Sequence, residues 1–525
     1  MIFHLHFFAN GGVMVRKILK FLMSRLFISV LLIALQLVLL FHLYNLVLSD
    51  HPFYSQILTW ISILLCLWVI YHKQEPDYII GWIMVIMLFP LYGAVFYILF
   101  GKKPLNIVGR KRTEDFIKNY TDGLTNVPAY PLSSVNALKN YDSDLFRQSR
   151  YISAVSYNHV WANTEVEYYA DGTSFFKGFL EELKKAKSFI FIEFFLIGEG
   201  EMWSQILKIL EEKKNEGVKI KILYDDFGSF GRIPGNYDKI LKSKGFEAKA
   251  FNAIKPHLNI RMNYRDHRKI CVIDGNIGFT GGLNLADEYI NRIIRFGHWK
   301  DSAILLKGDA VWNLTIMFLS MWNFETGTNE DISLYRPTKK YLTDGFVQPF
   351  GDNPLDEVTA AENVYMQIIN KAKEYVWIST PYLVINGAMV KALCTAAQSG
   401  VDVRIITPGI PDKPQVYEVT RSSYLALIKG GVKIYEYTPG FIHSKMFVSD
   451  DKVGVIGTIN MDYRSFYLHF ECGVALFGSS AIESMKRDME ETFEISKQIS
   501  YEEAKKVRLW KQLYRMILGL LAPLM

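Results

Sequence analysis

The sequence has little cysteine for its length. Four cysteines, Cys66, Cys271, Cys394 and Cys472, are scattered through 525 residues. Cys66 falls in an apolar run and Cys271 in a predicted strand, so we interpret these thiols as reduced and buried. The spacing excludes a disulfide framework and a cysteine zinc site.

The chain also lacks a strong charge bias and a phosphate-binding glycine loop. Its net charge of +6 is the difference between 59 basic and 53 acidic residues, so charge alone does not indicate a nucleic-acid binder. The absence of an extended basic stretch interleaved with aromatics also argues against a nucleic-acid partner. No Gly-x-x-x-x-Gly-Lys-Ser/Thr motif is present, which argues against nucleotide hydrolysis.

Uncharged apolar sequence is abundant near the beginning of the chain. Residues 26–48 and 79–100 carry no charge, and each run is long enough to cross a hydrocarbon core about 30 Å thick. Residues 52–71 are a third uncharged run with a shorter apolar core. We predict a membrane anchor over residues 1–120 with two or three transmembrane helices, at about 26–48, 52–71 and 79–100. A secretory signal peptide is the alternative for the first run.

Basic clusters flank these runs on both sides. They comprise Arg16, Lys17, Lys20 and Arg25 before the first run, and Lys102, Lys103, Arg110, Lys111 and Arg112 after the last. Both clusters favour the cytoplasmic side. An odd number of spans cannot place both clusters on the cytoplasmic side. One apolar run could therefore be re-entrant, or the N-terminus could lie outside despite its positive charges.

After a linker, predicted over residues 121–159, short β-rich runs alternate with helical ones. "SFIFIEFFLI", "VKIKILYDD" and "ICVIDGNIGFT" read as strands, and "MWSQILKILEEKKNEG" reads as an amphipathic helix ending at Gly217. The pattern predicts an α/β body.

The body contains an internal duplication. "AKSFIFIEFFLI" matches "AKEYVWISTPYLV", "GVKIKILYDD" matches "GVDVRIITPG", and "GFEAKAFNAI" matches "GVKIYEYTPG", in the same order. A polar motif follows in each copy with identical spacing. Its members are His267, Lys269, Asp274, Gly281 and Asn284 in the first copy, and His443, Lys445, Asp450, Gly457 and Asn460 in the second.

This motif suits phosphodiester chemistry. In a strand, residues i and i+2 share a face, so each histidine is expected beside its lysine, with the asparagine brought back by the following hairpin. Lysine and asparagine donors suit the non-bridging oxygens of a phosphodiester. One imidazole can attack phosphorus while the other protonates the leaving oxygen. We expect both imidazoles on opposite sides of one cationic cleft.

A metal site is the competing interpretation of the histidines and acids. Neither motif has a second histidine at ligand spacing, and a lysine two residues from each histidine disfavours a cation. We therefore predict no metal and no cofactor.

The doubled HxKxxxxD motif, followed by G-[GST]-x-N, resembles the signature of the phospholipase D superfamily over about residues 160–495. "GWIMVIMLFPLYGAVFYILFGKK" and the C-terminal "LWKQLYRMILGLLAPLM" resemble segments of the bacterial cardiolipin synthases within it. The resemblance implies two pseudo-twofold-related halves, at 160–335 and 336–500, with mixed β-sheets flanked by helices. A basic amphipathic tail is predicted over 501–525.

The resemblance also implies a reaction: two phosphatidylglycerols become cardiolipin and glycerol through a covalent phosphohistidine. It makes His267 the nucleophile and His443 the acid that later serves as base. It assigns Lys269, Lys445, Asn284 and Asn460 to the phosphate, and makes Asp274 and Asp450 motif members with a more architectural role. A carboxylate would orient each histidine, Asp301 for His267 and Glu471 for His443.

The partners and location implied are an anionic phospholipid and the bacterial cell membrane, with a multi-pass anchor and the catalytic body on the cytoplasmic side. Alternatives on the same scaffold are a hydrolase that uses water, a transferase that uses another alcohol, and a nuclease. An alternative of another class is a non-catalytic membrane scaffold that kept the fold.

Overall fold

The computed structural model describes residues 38, 42, 52–71, 76–100, 120–121, 132–253, 264–328, 330–355 and 358–522. The chain divides into two compact units. One comprises Met1–Pro104 with Ala253–Met262, and the other Leu105–Asn252 with Asn263–Met525.

The first unit contains the helices α1 (Pro52–Tyr71), α2 (Pro76–Leu88) and α3 (Pro90–Phe100). The predicted span at 52–71 is one helix, whereas the span predicted at 79–100 is divided between α2 and α3. Pro90 explains the division, because proline has no amide hydrogen for the helix ladder. The span predicted at 26–48 lies outside the described residues except at Val38 and His42. Among the described residues, no helix combines the length and the hydropathy needed to cross a membrane.

The first half of the second unit is built on a seven-stranded mixed sheet with the order β1-β9-β7-β6-β2-β3-β4. Strands β2, β3 and β4 are parallel, and the others pair antiparallel. The strands are β1 (Thr164–Tyr169), β2 (Phe189–Phe194), β3 (Lys219–Asp225), β4 (Glu247–Phe251), β6 (Lys269–Ile273), β7 (Ile277–Gly281) and β9 (Ala303–Gly308).

The second half repeats this order as β10-β19-β17-β16-β11-β13-β14, with β20 added at the end. The shared order confirms the predicted duplication. The strands are β10 (Phe346–Asp352), β11 (Tyr375–Ser379), β13 (Asp402–Pro408), β14 (Lys433–Tyr437), β16 (Met446–Ser449), β17 (Val453–Gly457), β19 (His469–Phe477) and β20 (Ser496–Gln498). Two short strands, β12 (Leu383–Val384) and β18 (Met461–Asp462), pair with each other outside this sheet.

Helices cover the sheets and lie between them. They are α4 (Leu132–Tyr141), α5 (Ser143–Ser156), α6 (Gly172–Lys184), α7 (Glu201–Asn215), α8 (Tyr237–Ser243), α9 (Val311–Thr326), α10 (Ala360–Lys371), α11 (Gly387–Gln398), α12 (Pro414–Ser422), α13 (Tyr424–Lys429), α14 (Tyr463–Tyr467), α15 (Ala481–Glu494), α16 (Tyr501–Lys505) and α17 (Leu509–Leu521). Short 3-10 helices occupy Asp287–Ile290 and Ile332–Tyr335.

The sequence patterns explain these elements. Strand β2 reads "FIFIEF" and is buried along its whole length, as expected for a strand covered on both faces. Helix α6 begins where the Asp171 side chain accepts hydrogen bonds from the amides of Thr173 and Ser174. One buried apolar cluster contains residues of both sheets together with α9 and α15, so the two halves share a core.

Two short parallel pairings join the halves beside the duplicated motif. Strand β5 (Arg265–Asp266) of the first half pairs with the beginning of β19 of the second half. Reciprocally, β15 (Gly440–Ile442) of the second half pairs with β8 (His298–Lys300) of the first. Each motif histidine directly follows one of these exchanged strands.

Candidate active site

The two motif histidines occupy equivalent positions. His267 lies between β5 and β6, and His443 lies between β15 and β16. The amide of His267 donates to the carbonyl of Phe470 at 2.9 Å, and the amide of His443 donates to the carbonyl of Lys300 at 2.7 Å. Each histidine backbone is therefore held by the opposite half.

A buried carboxylate holds the Nδ1 atom of each ring. His267 Nδ1 lies 2.9 and 3.0 Å from the two carboxylate oxygens of Glu471, and His443 Nδ1 lies 2.6 Å from Asp301 Oδ2. The predicted pairing of Asp301 with His267 and of Glu471 with His443 is therefore wrong. Both carboxylates face a motif histidine, but each faces the histidine of the other half.

The register of the exchanged strands explains this crossing. Asp266 is opposite Phe470, so the next residues along the parallel pair, His267 and Glu471, are neighbours. Ile442 is opposite Lys300 in the same way, which places His443 beside Asp301. Because an ionised carboxylate accepts a hydrogen bond at Nδ1, the neutral ring keeps its proton there and leaves the Nε2 lone pair available.

Each motif lysine contacts the backbone of its own histidine. Lys269 Nζ donates to the carbonyl oxygen of His267 at 2.6 Å, and Lys445 Nζ donates to the carbonyl oxygen of His443. Both side chains are almost fully buried. Each histidine precedes its strand instead of lying within it, so strand alternation does not determine the position of the lysine relative to the ring.

The motif asparagines are at the end of the returning strands. Asn284 Oδ1 accepts from the amide of Leu196 at 3.1 Å, and its Nδ2 donates to the Tyr289 hydroxyl at 2.6 Å. The backbone amide of Asn460 donates to Ser465 Oγ at 3.1 Å. Among the described residues, no donor lies within hydrogen-bond distance of Asn460 Oδ1. This side chain therefore has a polar atom available for a ligand.

Asp274 and Asp450, placed with the catalytic motif on sequence grounds, are at the hairpin turns outside the cavity. Both have positive φ, at 53°. The Asp274 carboxylate accepts from the amides of residues 187–189, and Asp450 accepts from those of residues 373–375. Each carboxylate thus ties the hairpin to the start of the neighbouring strand, which agrees with the architectural role expected for it.

Both histidines line one cavity of about 580 Å³ between the two halves. Asn284 and Asn460 also line it, whereas Lys269 and Lys445 do not. The wall carries further cationic side chains that the motif did not reveal, namely Arg232, Arg265, Arg295, Lys413 and Arg464. The carboxylates Glu288, Asp412 and Asp462 line it as well, so basic residues outnumber acidic ones in the wall. The expected cleft shared by two imidazoles is confirmed.

The surroundings keep both imidazoles neutral. Burial, followed by the charges of Lys269 and Lys445, holds the pKa of His267 well below its usual value. Burial and Lys445 lower the pKa of His443 to about 4, although Asp301 opposes this shift. Burial also lowers the pKa of Lys269 to about 8 and that of Lys445 to about 7. A bound anion would oppose each of these shifts.

A third histidine breaks the symmetry of the site. His469 lies in the cavity wall with its ring centre 5.3 Å from that of His267, and its Nδ1 is 3.5 Å from a Glu471 oxygen. Arg464 Nε donates to His469 Nε2 at 3.2 Å. Trp299 takes the equivalent place beside His443, at 5.5 Å. The aligned segments "HWKD" and "HFE" place Trp299 and His469 two residues before their carboxylates, a signal that could have identified them.

The atoms of His267, His469 and Glu471 that could ligate a metal lie within 4.8 Å of one another. The positive charges of Lys269 and Lys445, which already disfavour a proton on His267, equally disfavour a divalent cation there. Glu471 is also engaged by the hydroxyls of Thr458 and Ser465. The donor set therefore fits a hydrogen-bonded dyad better than a metal centre.

Two similar α/β halves, with two carboxylate-held imidazoles in one cationic cavity, define a class of enzyme suited to phosphodiester transfer. The model of the family "cardiolipin synthase, PLD-like domain" matches residues 179–294 and 365–493. A second model, "phospholipase D-nuclease N-terminal", matches residues 57–102.

Named relatives agree with these matches. The cardiolipin synthase of Alkalihalophilus pseudofirmus is 32% identical over 87% of this chain and 91% of its own. An uncharacterised protein of Streptococcus mutans is 40% identical over 87% of this chain and 99% of its own. The crystal structure of the Haemophilus influenzae phosphatidylserine synthase covers 72% of this chain and 98% of that one, with a TM-score of 0.55 and 13% identity. This structural likeness concerns the fold alone.

The chain therefore belongs to the cardiolipin synthase family of the phospholipase D superfamily. The resemblance predicted from the doubled motif is confirmed, as is the prediction of an enzyme of this superfamily.

Proposed function

We propose that this chain transfers a phosphatidyl group between two phosphatidylglycerol molecules, which gives cardiolipin and glycerol. The observation that carries the proposal is the single cavity lined by His267 and His443, each held at Nδ1 by a buried carboxylate. This arrangement supplies two Nε2 atoms to one phosphodiester.

In the first step, Nε2 of His267 attacks the phosphorus of phosphatidylglycerol and a phosphorus–nitrogen bond forms. The bond from phosphorus to the headgroup glycerol oxygen breaks. His443, protonated when the anionic lipid is bound, gives its Nε2 proton to that oxygen, and glycerol leaves. Glu471 stabilises the positive charge that develops on the His267 ring.

In the second step, a hydroxyl of a second phosphatidylglycerol gives its proton to His443 and attacks the phosphorus. The phosphorus–nitrogen bond breaks, His267 regains its lone pair, and cardiolipin is released. We propose that Asn284 and Asn460 contact the non-bridging oxygens, while the buried charges of Lys269 and Lys445 stabilise the negative charge on these oxygens.

The N-terminal region has its own proposed role. We propose that residues 1–120 attach the enzyme to the bacterial cell membrane through two or three apolar segments, with the catalytic body on the cytoplasmic side. The uncharged runs at 26–48, 52–71 and 79–100 support this proposal. Attachment to the bilayer would let the enzyme take a two-chain lipid without transferring it through water.

The test uses purified full-length protein with labelled phosphatidylglycerol as sole lipid and a metal chelator. We expect cardiolipin and glycerol in equal amounts, and an acid-labile phosphohistidine that His267→Ala abolishes. His443→Ala should lose product, whereas His298→Gln, a histidine outside the cavity wall, should not. Phosphatidic acid as the only product would instead identify a hydrolase.

A further inference from the structure

The C-terminal helix α17 presents its apolar side chains to the outside. Lys511 and Arg515, one turn apart, point to the body and contact the Glu418 carboxylate of α12 at 2.8 and 2.9 Å. Leu518 and Leu520 of this helix are partly buried, and Leu518 packs against the body. The other seven large apolar side chains are more than a third exposed. They are Leu509, Trp510, Leu513, Tyr514, Met516, Ile517 and Leu521.

This orientation is the reverse of that of a surface helix in water, where apolar side chains pack on the body and cationic ones face solvent. Burial of apolar area contributes about 25 cal/mol per Å², so leaving the apolar side exposed is unfavourable unless a partner covers it. The Glu418 contacts hold the helix in this orientation.

The same helix ends at the catalytic cavity. Ala522, directly after α17, is buried and lines that cavity together with Val416 and Val419 of α12. Phe227 also lines the cavity and is about half exposed, at 52%. The C-terminal end of α17 therefore forms part of the wall of the catalytic cavity.

A second cavity, of about 500 Å³, lies between α17 and the body. Its cationic lining residues are Arg421, Lys506, Arg508, Lys511 and Arg515. Glu503, which also lines it, is engaged by Lys497 and by the cap of α16. Within the described part of the chain, no carboxylate lies within 4 Å of the charged groups of Lys506 and Arg508, both of which are exposed.

We propose that α17 docks on an anionic lipid bilayer, with its apolar side in the acyl region and the headgroup of one anionic phospholipid in the cationic cavity. Cationic residues, a tryptophan and an apolar side on one helix are the combination that binds membrane interfaces. Docking would place the catalytic cavity at the bilayer surface. The proposal deepens the proposed function and rests on it only for the substrate that enters the catalytic cavity.

The test measures docking separately from catalysis. The full chain carries Cys394→Ser and Leu513→Cys, with a fluorophore on residue 513; the other described cysteines are buried. It is reconstituted in vesicles of phosphatidylglycerol and phosphatidylcholine with brominated acyl chains. We expect the brominated chains to quench the fluorophore at residue 513, and to quench it more strongly as the phosphatidylglycerol content rises. The same fluorophore placed on α7 through Lys208→Cys should not be quenched.

Charge variants test the headgroup cavity. Each basic residue near an anionic surface contributes a factor of about five, so Lys506→Gln with Arg508→Gln should lower the docked-to-undocked ratio about 25-fold. The matched pair Lys177→Gln and Lys208→Gln, exposed lysines of α6 and α7, should not change it. The Lys506/Arg508 variant should also lose cardiolipin synthesis in vesicles but keep it in detergent micelles.

Absent quenching at residue 513, or equal quenching in purely zwitterionic vesicles, would overturn the docking. The docking would also be overturned if the parent protein dimerised and Leu513→Gln with Met516→Gln abolished the dimer, because a second copy would then cover the helix. Quenching without cardiolipin synthesis would leave the docking intact and contradict only the proposed function.

Discussion

The crossed dyads predict that the two carboxylates serve different chemical steps. Glu471→Gln and Asp301→Asn each replace a carboxylate with an amide of similar shape, so the hydrogen bond to Nδ1 can persist while the charge is lost. Glu471 touches His267, the proposed nucleophile, and Asp301 touches His443, the proposed acid. The first variant should impair attack on phosphorus and the second should impair proton donation.

The expected magnitude follows from the contacts. A hydrogen bond to a charged group contributes about 1.5–3 kcal/mol, which corresponds to about a 10- to 150-fold loss of rate for either variant with phosphatidylglycerol. A nitrophenolate leaving group needs no proton. With a nitrophenyl phosphodiester of the same lipid, kcat/KM of the Asp301→Asn variant should therefore fall less than about threefold relative to the parent. Glu471→Gln should keep its full deficit with both substrates.

The assay compares kcat/KM for the two substrates in detergent micelles, with single-turnover measurement of phosphohistidine formation. Glu181→Gln, an exposed carboxylate of α6, is the matched control and should behave like the parent. If the nitrophenyl substrate rescues Glu471→Gln and not Asp301→Asn, the roles of the two histidines are reversed. If it rescues neither, the carboxylates do not act through separate histidines and the reasoning from the crossed pairing fails.

Three further predictions follow from the same geometry. The affinity for vanadate, used as an anionic analogue of phosphate, should fall as pH rises through about 7 to 8, because Lys445 and Lys269 lose their protons there. Calorimetry measures this affinity, and pH-independent binding would contradict the prediction. The free energy of unfolding should fall as pH drops from 6.5 towards 4, because the unfolded chain takes up protons that His443, with its pKa of about 4, and His267 resist. His443→Gln should reduce this slope in thermal unfolding, and an unchanged slope would contradict the shift. Asp274→Ala should lower the free energy of unfolding by about 2–4 kcal/mol, because three backbone amides lose their acceptor. Denaturant unfolding measures this change, with Glu181→Gln as the control. An unchanged unfolding midpoint would refute the architectural role.

The elements whose signals are local were predictable from the sequence. The buried run of β2, the amphipathic pattern of α7 and the turn residues of the motif hairpins predicted an α/β body. The doubled motif predicted that His267 and His443 would share a site, because repeated spacing in two halves implies equivalent positions. Each of these signals lies within about 20 positions of sequence, and the duplication was recognised by comparing two such local signals.

The failures concern contacts between distant parts of the chain. The pairing of Glu471 with His267 spans 204 positions, and it depends on which strand of the other half β5 joins. Nothing in the local pattern records that choice.

The exchange of strands makes the site a property of the whole body rather than of either half. The first half alone would keep His267 but lose Glu471, and it would leave Asp301 buried without its imidazole. A buried carboxylate without its partner is destabilising by several kcal/mol, so the same contacts that orient the rings also hold the halves together. Substitutions at Asp301 or Glu471 should therefore impair catalysis and also weaken the association of the two halves. Substitutions at Asn284 and Asn460, whose hydrogen bonds lie within their own half, should impair catalysis without weakening that association.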